Sequence, residues 1–193
     1  MSLIPAFDIG IWNAWIFMIW LLIQNLAARL VSKELYQRAG DPPDMKPGYG
    51  HRIAGKISMP LWLLATAYSI FLPFQLGTIW FYIGLIVFLF GLTMTTVATI
   101  NFATTPINEP VIKGIYRYSR HPIYAALFLI YLSVGIASAS WVFLLVAIMW
   151  AVLLNLYVTD EERYCLEAYG DTYREYMDRT PRWIGTPRRS NKK

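Results

Sequence analysis

Apolar runs dominate the chain, separated alternately by short uncharged turns and by long charged stretches. Five runs stand out, at residues 9–31, 57–74, 78–102, 123–138 and 141–158. A helix needs about 20 mostly apolar residues to cross about 30 Å of hydrocarbon, and each run approaches or exceeds that length. The third carries no charge, and the fourth is the shortest. Pro60 and Pro122 stand near the starts of the second and fourth runs, where a missing N–H removes no helical bond. Only Ala137, Ser138, Ala139 and Ser140 separate the last two runs, enough for a tight helical hairpin. Buried helices of a soluble domain seldom stay uncharged over such lengths. The pattern predicts an all-α, polytopic membrane protein with about five transmembrane helices. After Tyr169 and Gly170, an aromatic and charged stretch from Tyr173 to Trp183 reads as a short amphipathic helix on the membrane surface.

Charge then orients the bundle. All 17 lysines and arginines, and every acid except Asp8, fall within residues 29–56, 101–121 and the part after 158. With five crossings these segments share one side. The positive-inside rule makes that side cytoplasmic, with the N-terminus outside and the C-terminus inside. Trp12, Trp15, Trp62, Trp80 and Trp141 lie near expected span ends, as interfacial anchors do. Composition agrees: 56% of the 193 residues are hydrophobic and only 15% charged, with a mean hydropathy of +0.41. The net charge of +5 is a topology signal and not a nucleic-acid footprint, because the basic residues lie between apolar spans. The start lacks a basic region followed by a small-residue cleavage site, so no removable signal peptide is expected. The Pro/Gly-rich stretch 40–48 reads as a lid or a linker, and the basic tail 188–193 as disordered or lying on anionic lipid.

Several chemistries are poorly supported. One cysteine, Cys165, permits no intrachain disulfide, and its expected role is to fill space on a helix. Two histidines without a cysteine pair give little support to zinc, and no metal is expected. No phosphate-binding glycine motif follows a strand, and no nucleophile elbow occurs. Within the spans, Asn13, Gln24, Asn25 and Asn155 are the strongly polar uncharged residues, too few to favour a transporter.

Two charged stretches exceed what topology requires. In residues 113–124, Gly114 permits a close approach, and Pro122 places His121 at the cap of the fourth helix. Exposed first-turn N–H groups, with Lys113, Arg117 and Arg120, make an anion-binding mouth or a basic loop on lipid headgroups. At the end of the fifth run, Asp160, Glu161 and Glu162 oppose the helix dipole, which local stability does not explain. Glu161 and Glu162 point about 100° apart, so at most one easily faces a given groove. The two stretches together suit a ligand bearing both a carboxylate and a cation. The alternative is a set of solvated acids paired with Arg163 and the tail.

At these residues the chain resembles the isoprenylcysteine carboxyl methyltransferase family of membrane enzymes. The resemblance rests on Gly114-Ile115-Tyr116-Arg117, Arg120-His121-Pro122-x-Tyr124, Glu161-Glu162, Tyr169-Gly170 and Tyr173-x-x-Tyr176, and it covers roughly the C-terminal half. It implies S-adenosylmethionine as cofactor, leaving as S-adenosylhomocysteine. The positions matching the cofactor shell are Asn101, Glu109, Pro110, Val111, Tyr116, His121, Pro122, Ile123, Tyr124 and Glu161. His121 and the helix start would take the carboxylate end, Glu161 a cationic or hydroxyl part, and Tyr116 and Tyr124 the adenosine or sulfonium. Relatives carry arginines shortly before the Glu-Glu pair, where this chain has Tyr157 and Thr159. Arg163, Glu162 and Tyr157 are therefore the candidate catalytic residues.

The resemblance implies methyl transfer to a lipophilic acceptor entering from the bilayer, of which a carboxylate of isoprenylcysteine type is the family's example. Phospholipid or small-thiol methylation with the same cofactor site is the alternative; an NADPH-dependent reductase of sterol type and a non-enzymatic scaffold rank lower. The division expected is 1–100 for three spans with a cytosolic loop 32–56, 101–183 for the catalytic region with two spans, and 184–193 for the tail. Membrane lipids are the expected surroundings, in the cell membrane of a prokaryote-like protein, with the active site facing the cytoplasm.

Overall fold

The computed structural model describes residues 8–31, 46–106 and 109–188, without the side chains of residue 25 and residues 27–31. The stretch 32–45, which holds most of the Pro/Gly-rich loop, lies outside the described residues, as do the side chain of Asn25 and the tail from 189. Among the described residues there are five α-helices and no named strand: α1 (Trp15–Val31), α2 (Tyr49–Ile70), α3 (Ile79–Ala103), α4 (Pro122–Ala137) and α5 (Trp141–Arg179). A 3-10 turn, Gly114–Arg117, precedes α4. Three helices, α2, α3 and α5, are long and apolar enough to cross a membrane; α1 and α4 are shorter and apolar. Large apolar side chains such as Leu64, Ile86 and Leu145 lie more than 60% exposed on the outside of the bundle, where lipid would cover them.

The uncharged end of the bundle is tied by backbone bonds. Ala14 N–H donates to the Leu72 carbonyl at 2.9 Å, Phe74 N–H to Trp12 at 3.0 Å and Gln75 N–H to Ala137 at 2.9 Å. The buried Asn13 carboxamide adds bonds to the carbonyls of Asp8 and Ile70, at 2.6 and 2.8 Å. These groups could find no partner in hydrocarbon, which is why the turns pair with one another. Phe17, Leu72, Tyr131, Val134 and Phe143 form the main core at this end. Gln24 joins α1 to α3, donating to the hydroxyls of Thr95 and Thr99, both at 3.0 Å. A polar residue in a span here serves helix association.

Two expected boundaries change. The second helix begins at Tyr49, so Pro60 lies in its interior and not in its first turn. The extra turns are anchored from outside: Gly48, the residue before the helix, donates its N–H to the Asp160 carboxylate at 2.6 Å. Buried His51 and Ala54 then face inward, and Trp62 sits well inside the helix. The tertiary contact outweighs the hydrogen bond that Pro60 removes. At the other end of the chain, α5 continues through the charged stretch to Arg179, with one non-helical residue, Gly170, at φ 53° and ψ −129°. The expected separate amphipathic helix is thus the last part of a kinked helix. A Cβ at Gly170 would meet nothing, so backbone conformation, not space, calls for glycine there.

Candidate active site

Pro122 opens α4 at its first turn and His121 occupies the N-cap without supplying a side-chain cap. The preceding loop is built on Asn101, whose carboxamide oxygen accepts the Ile115 N–H at 3.0 Å. Gly114 sits at φ 61°, and a Cβ there would collide with that carboxamide. The sequence expectation of a close approach at Gly114 is met by Asn101.

After α5 the chain turns back as a strap across the foot of α4. Arg120 N–H donates to Pro181 at 3.0 Å and Gly185 N–H to Tyr118 at 2.9 Å. Ser119 supports both partners, donating to the Arg182 carbonyl at 3.4 Å and accepting the His121 N–H at 3.1 Å. Arg120 reaches under the strap to the carbonyls of Met177 and Thr180 at 2.9 and 3.2 Å.

Glu162 is the hub. It receives Arg120 Nε at 2.8 Å, the Arg182 fork through Nη2 at 2.5 Å and Nε at 3.3 Å, and His121 Nε2 at 3.2 Å. Only 4% of its side chain is exposed. Burial alone would raise its pKa, yet the His121 and Arg182 hydrogen bonds and the charges of Arg120 and His121 outweigh it and lower the carboxyl to about 2. An ionised carboxylate only accepts, so His121 carries its proton on Nε2 in this contact.

Glu161 points elsewhere, as its helical position requires. Tyr124 donates its hydroxyl to Glu161, and His121 Nδ1 stands 3.6 Å from the same carboxylate. His121 therefore bridges the two acids, with its ring parallel to that of Tyr124 at 5.9 Å. Asp160 leaves the helix on a third side, toward α2, accepting Gly48 N–H and pairing with Arg163 at 2.9 Å.

The candidate residues separate accordingly. His121, Pro122, Tyr124, Glu161 and Glu162 converge at the foot of α4. Asn101 holds the loop, while Val111, Tyr116 and Ile123 join Tyr173 and Tyr176 in an aromatic cluster behind it. There the Tyr176 hydroxyl donates to the Tyr116 carbonyl at 2.7 Å. Glu109 and Pro110 lie on the segment before the loop, where the Glu109 amide bonds Pro106 at 3.1 Å. Arg163 and Tyr157 face α2: Arg163 donates to the Lys46 carbonyl at 2.8 Å, and Tyr157 meets the His51 ring edge-on at 4.5 Å. Cys165 packs in the aromatic cluster, and burial together with the charge of Glu161 raises its thiol to about 11, which suits a filler and not a nucleophile.

A groove of about 730 Å³ opens beside the convergence, between α4 and α5. Tyr124, Phe128, Leu129, Val152 and the strap residue Trp183 are among its lining. Trp183 also stands 6.4 Å from the His121 ring. Sequence reasoning missed Ser119, Arg182 and Trp183 as site residues; the adjacent Arg-Trp pair just past an amphipathic helix was the available signal.

A family model described as phospholipid methyltransferase matches residues 74–172, just over half of the chain. The chain belongs to that family. The match spans α3, the loop, α4 and α5 through Glu162, so all of the convergence except the strap lies inside it. Comparison with curated proteins finds no match. Family membership together with three apolar helices of crossing length makes this an integral membrane protein of a methyltransferase family.

Proposed function

We propose that the protein is an S-adenosylmethionine-dependent methyltransferase acting on a lipophilic acceptor that reaches the site from the bilayer. The observation that carries this reading is the meeting of His121, Tyr124 and Glu161 at an uncapped helix start, beside an apolar groove. The donor set fits the cofactor: the helix start without a side-chain cap suits a carboxylate, Glu161 an ammonium or ribose hydroxyl, and the ring of Tyr124 a sulfonium or adenine. When bound, S-adenosylmethionine supplies an electrophilic methyl group on a sulfonium, with S-adenosylhomocysteine as the product. The chain's own contribution is alignment and exclusion of water, which a carboxylate acceptor, already nucleophilic at neutral pH, needs most. Glu162, held by two arginines, positions His121 and the strap rather than a substrate proton.

An acceptor carboxylate of isoprenylcysteine type is the leading substrate. A phospholipid amine, the second reading, is favoured by Glu161, whose carboxylate beside Tyr124 could take the proton that an ammonium must release before attack. In both readings five helices cross the bilayer with the charged end in the cytoplasm, as the one-sided distribution of Lys and Arg supports. The test is thermal stabilisation in detergent by S-adenosylhomocysteine and by NADPH, followed by transfer of labelled methyl to extracted lipid or farnesylcysteine. Stabilisation by S-adenosylhomocysteine alone is expected; a response to NADPH alone would replace the reading with a reductase.

A further inference from the structure

Several groups converge on the Glu162 hub. One buried carboxylate faces two guanidinium groups, from Arg120 and Arg182, and the His121 imidazole as well. The two arginines differ in what else they do. Arg120 is 11% exposed and its Nη1 is spent on the carbonyls of Met177 and Thr180. Arg182 is 33% exposed and uses Nε and Nη2 on Glu162. A guanidinium has five N–H donors in a fixed fork, so Arg182 can hold Glu162 with one edge and present donors on the other. The next residue, Trp183, lines the apolar groove together with Ile184, and the far wall includes Ile148 and Val152, both more than half exposed on the outer face of α5. The strap thus sets the partly exposed Arg182 guanidinium next to two residues that line a groove opening toward lipid.

We infer that the strap is the acceptor-recognition element, with Arg182 binding an anionic group of the acceptor and Trp183 packing on the hydrocarbon next to it. This rests on the methyltransferase reading and adds to it which residues select the acceptor. The ligand chemistry is a hydrocarbon chain ending in an anion, either a phosphodiester or a carboxylate. Arg182 is a specificity residue in this assignment, and Glu162 is what fixes its orientation. Charge-assisted bidentate pairing gives such an arginine strong discrimination against an uncharged analogue.

Two probe pairs test it, titrated into the detergent-solubilised full chain loaded with S-adenosylhomocysteine. One pair is lysophosphatidylglycerol against the monoacylglycerol of equal chain length. The other is N-acetyl-S-farnesylcysteine against its methyl ester. The charged member of at least one pair should bind about tenfold more tightly, and which pair it is names the source of the anion. Arg182→Gln should reduce that preference to within about twofold. Arg182→Lys keeps the charge on Glu162 and with it the fold, but a single ammonium cannot serve two anions as a fork does, so it too should lose most of the preference. Trp183→Ala should weaken both members of the preferred pair alike. No preference in the wild type, or a preference that survives both arginine variants, overturns the inference. Wild-type protein that fails to bind S-adenosylhomocysteine overturns the methyltransferase reading instead.

Discussion

Asp160 and Glu162 are two residues apart on α5, both acids and both buried, and they differ in what they hold. Asp160 meets one half-exposed arginine and one backbone N–H, and its charge is closely matched. It closes a joint between α5 and the start of α2. Glu162 meets two arginines and a histidine that also faces Glu161. It joins the loop, α4 and the strap. An acid with one charged partner fastens two helices, whereas an acid with several organises a site and leaves Arg182 an edge that Glu162 does not use. Glu161, between them, faces Tyr124 and shares His121 with Glu162.

The largest effect expected from this contrast is on stability. Glu162→Gln leaves Arg120 and Arg182 confronting each other without a counter-charge, at a cost of about 3–5 kcal/mol in unfolding free energy in detergent. Asp160→Asn keeps an oxygen for Gly48 N–H and should lose only about 1–3 kcal/mol, with S-adenosylhomocysteine binding nearly unchanged. If Asp160→Asn proved the more damaging of the two, the contrast would be reversed. Next comes an effect on turnover alone. Tyr124→Phe and Glu161→Gln should each slow methyl transfer by on the order of a hundredfold, with unfolding midpoints close to wild type.

Acid titration sharpens the contrast further. Because the folded-state pKa of Glu162 lies below its usual 4.5, at about 2, the unfolded chain binds that proton more readily. Its contribution is complete above about pH 4.5 and drains away as pH falls toward 2. Unfolding midpoints measured across that window should drop steeply for wild type and more shallowly for Glu162→Gln. The smallest effect is expected at the kink: Gly170→Ala forces a non-glycine residue to positive φ and should cost about 1–2 kcal/mol, read by thermal unfolding.

Much of the architecture was legible because it depends on local composition. The apolar runs, the hairpin at residues 138–140 and the helix start at Pro122 all appear where the pattern predicts them. The start of α2 was not, since Gly48 is fixed by Asp160, 112 residues away. The same holds for the site. His121, Tyr124 and Glu161 could be grouped because a short hairpin returns α5 beside α4. Arg182 was read only as the end of an amphipathic stretch, because its partner Glu162 lies a kinked helix and a reversal away. Arg163, adjacent to Glu162 in sequence, looked the better placed arginine, yet one helical step of about 100° turns it away, to Asp160 and the Lys46 carbonyl.

The strap also sets an order in time. A ribosome completes the loop, α4 and both Glu161 and Glu162 before residues 181–185 exist, so the pairing of Tyr118 and Arg120 with Gly185 and Pro181 follows the synthesis of every element it joins. Until then Glu162 lacks one arginine and the groove lacks its Trp183 wall. A nascent chain halted at residue 180 would hold both helices of the hairpin without a finished site. The strap residues thus complete the joint only after both helices of the hairpin have been made.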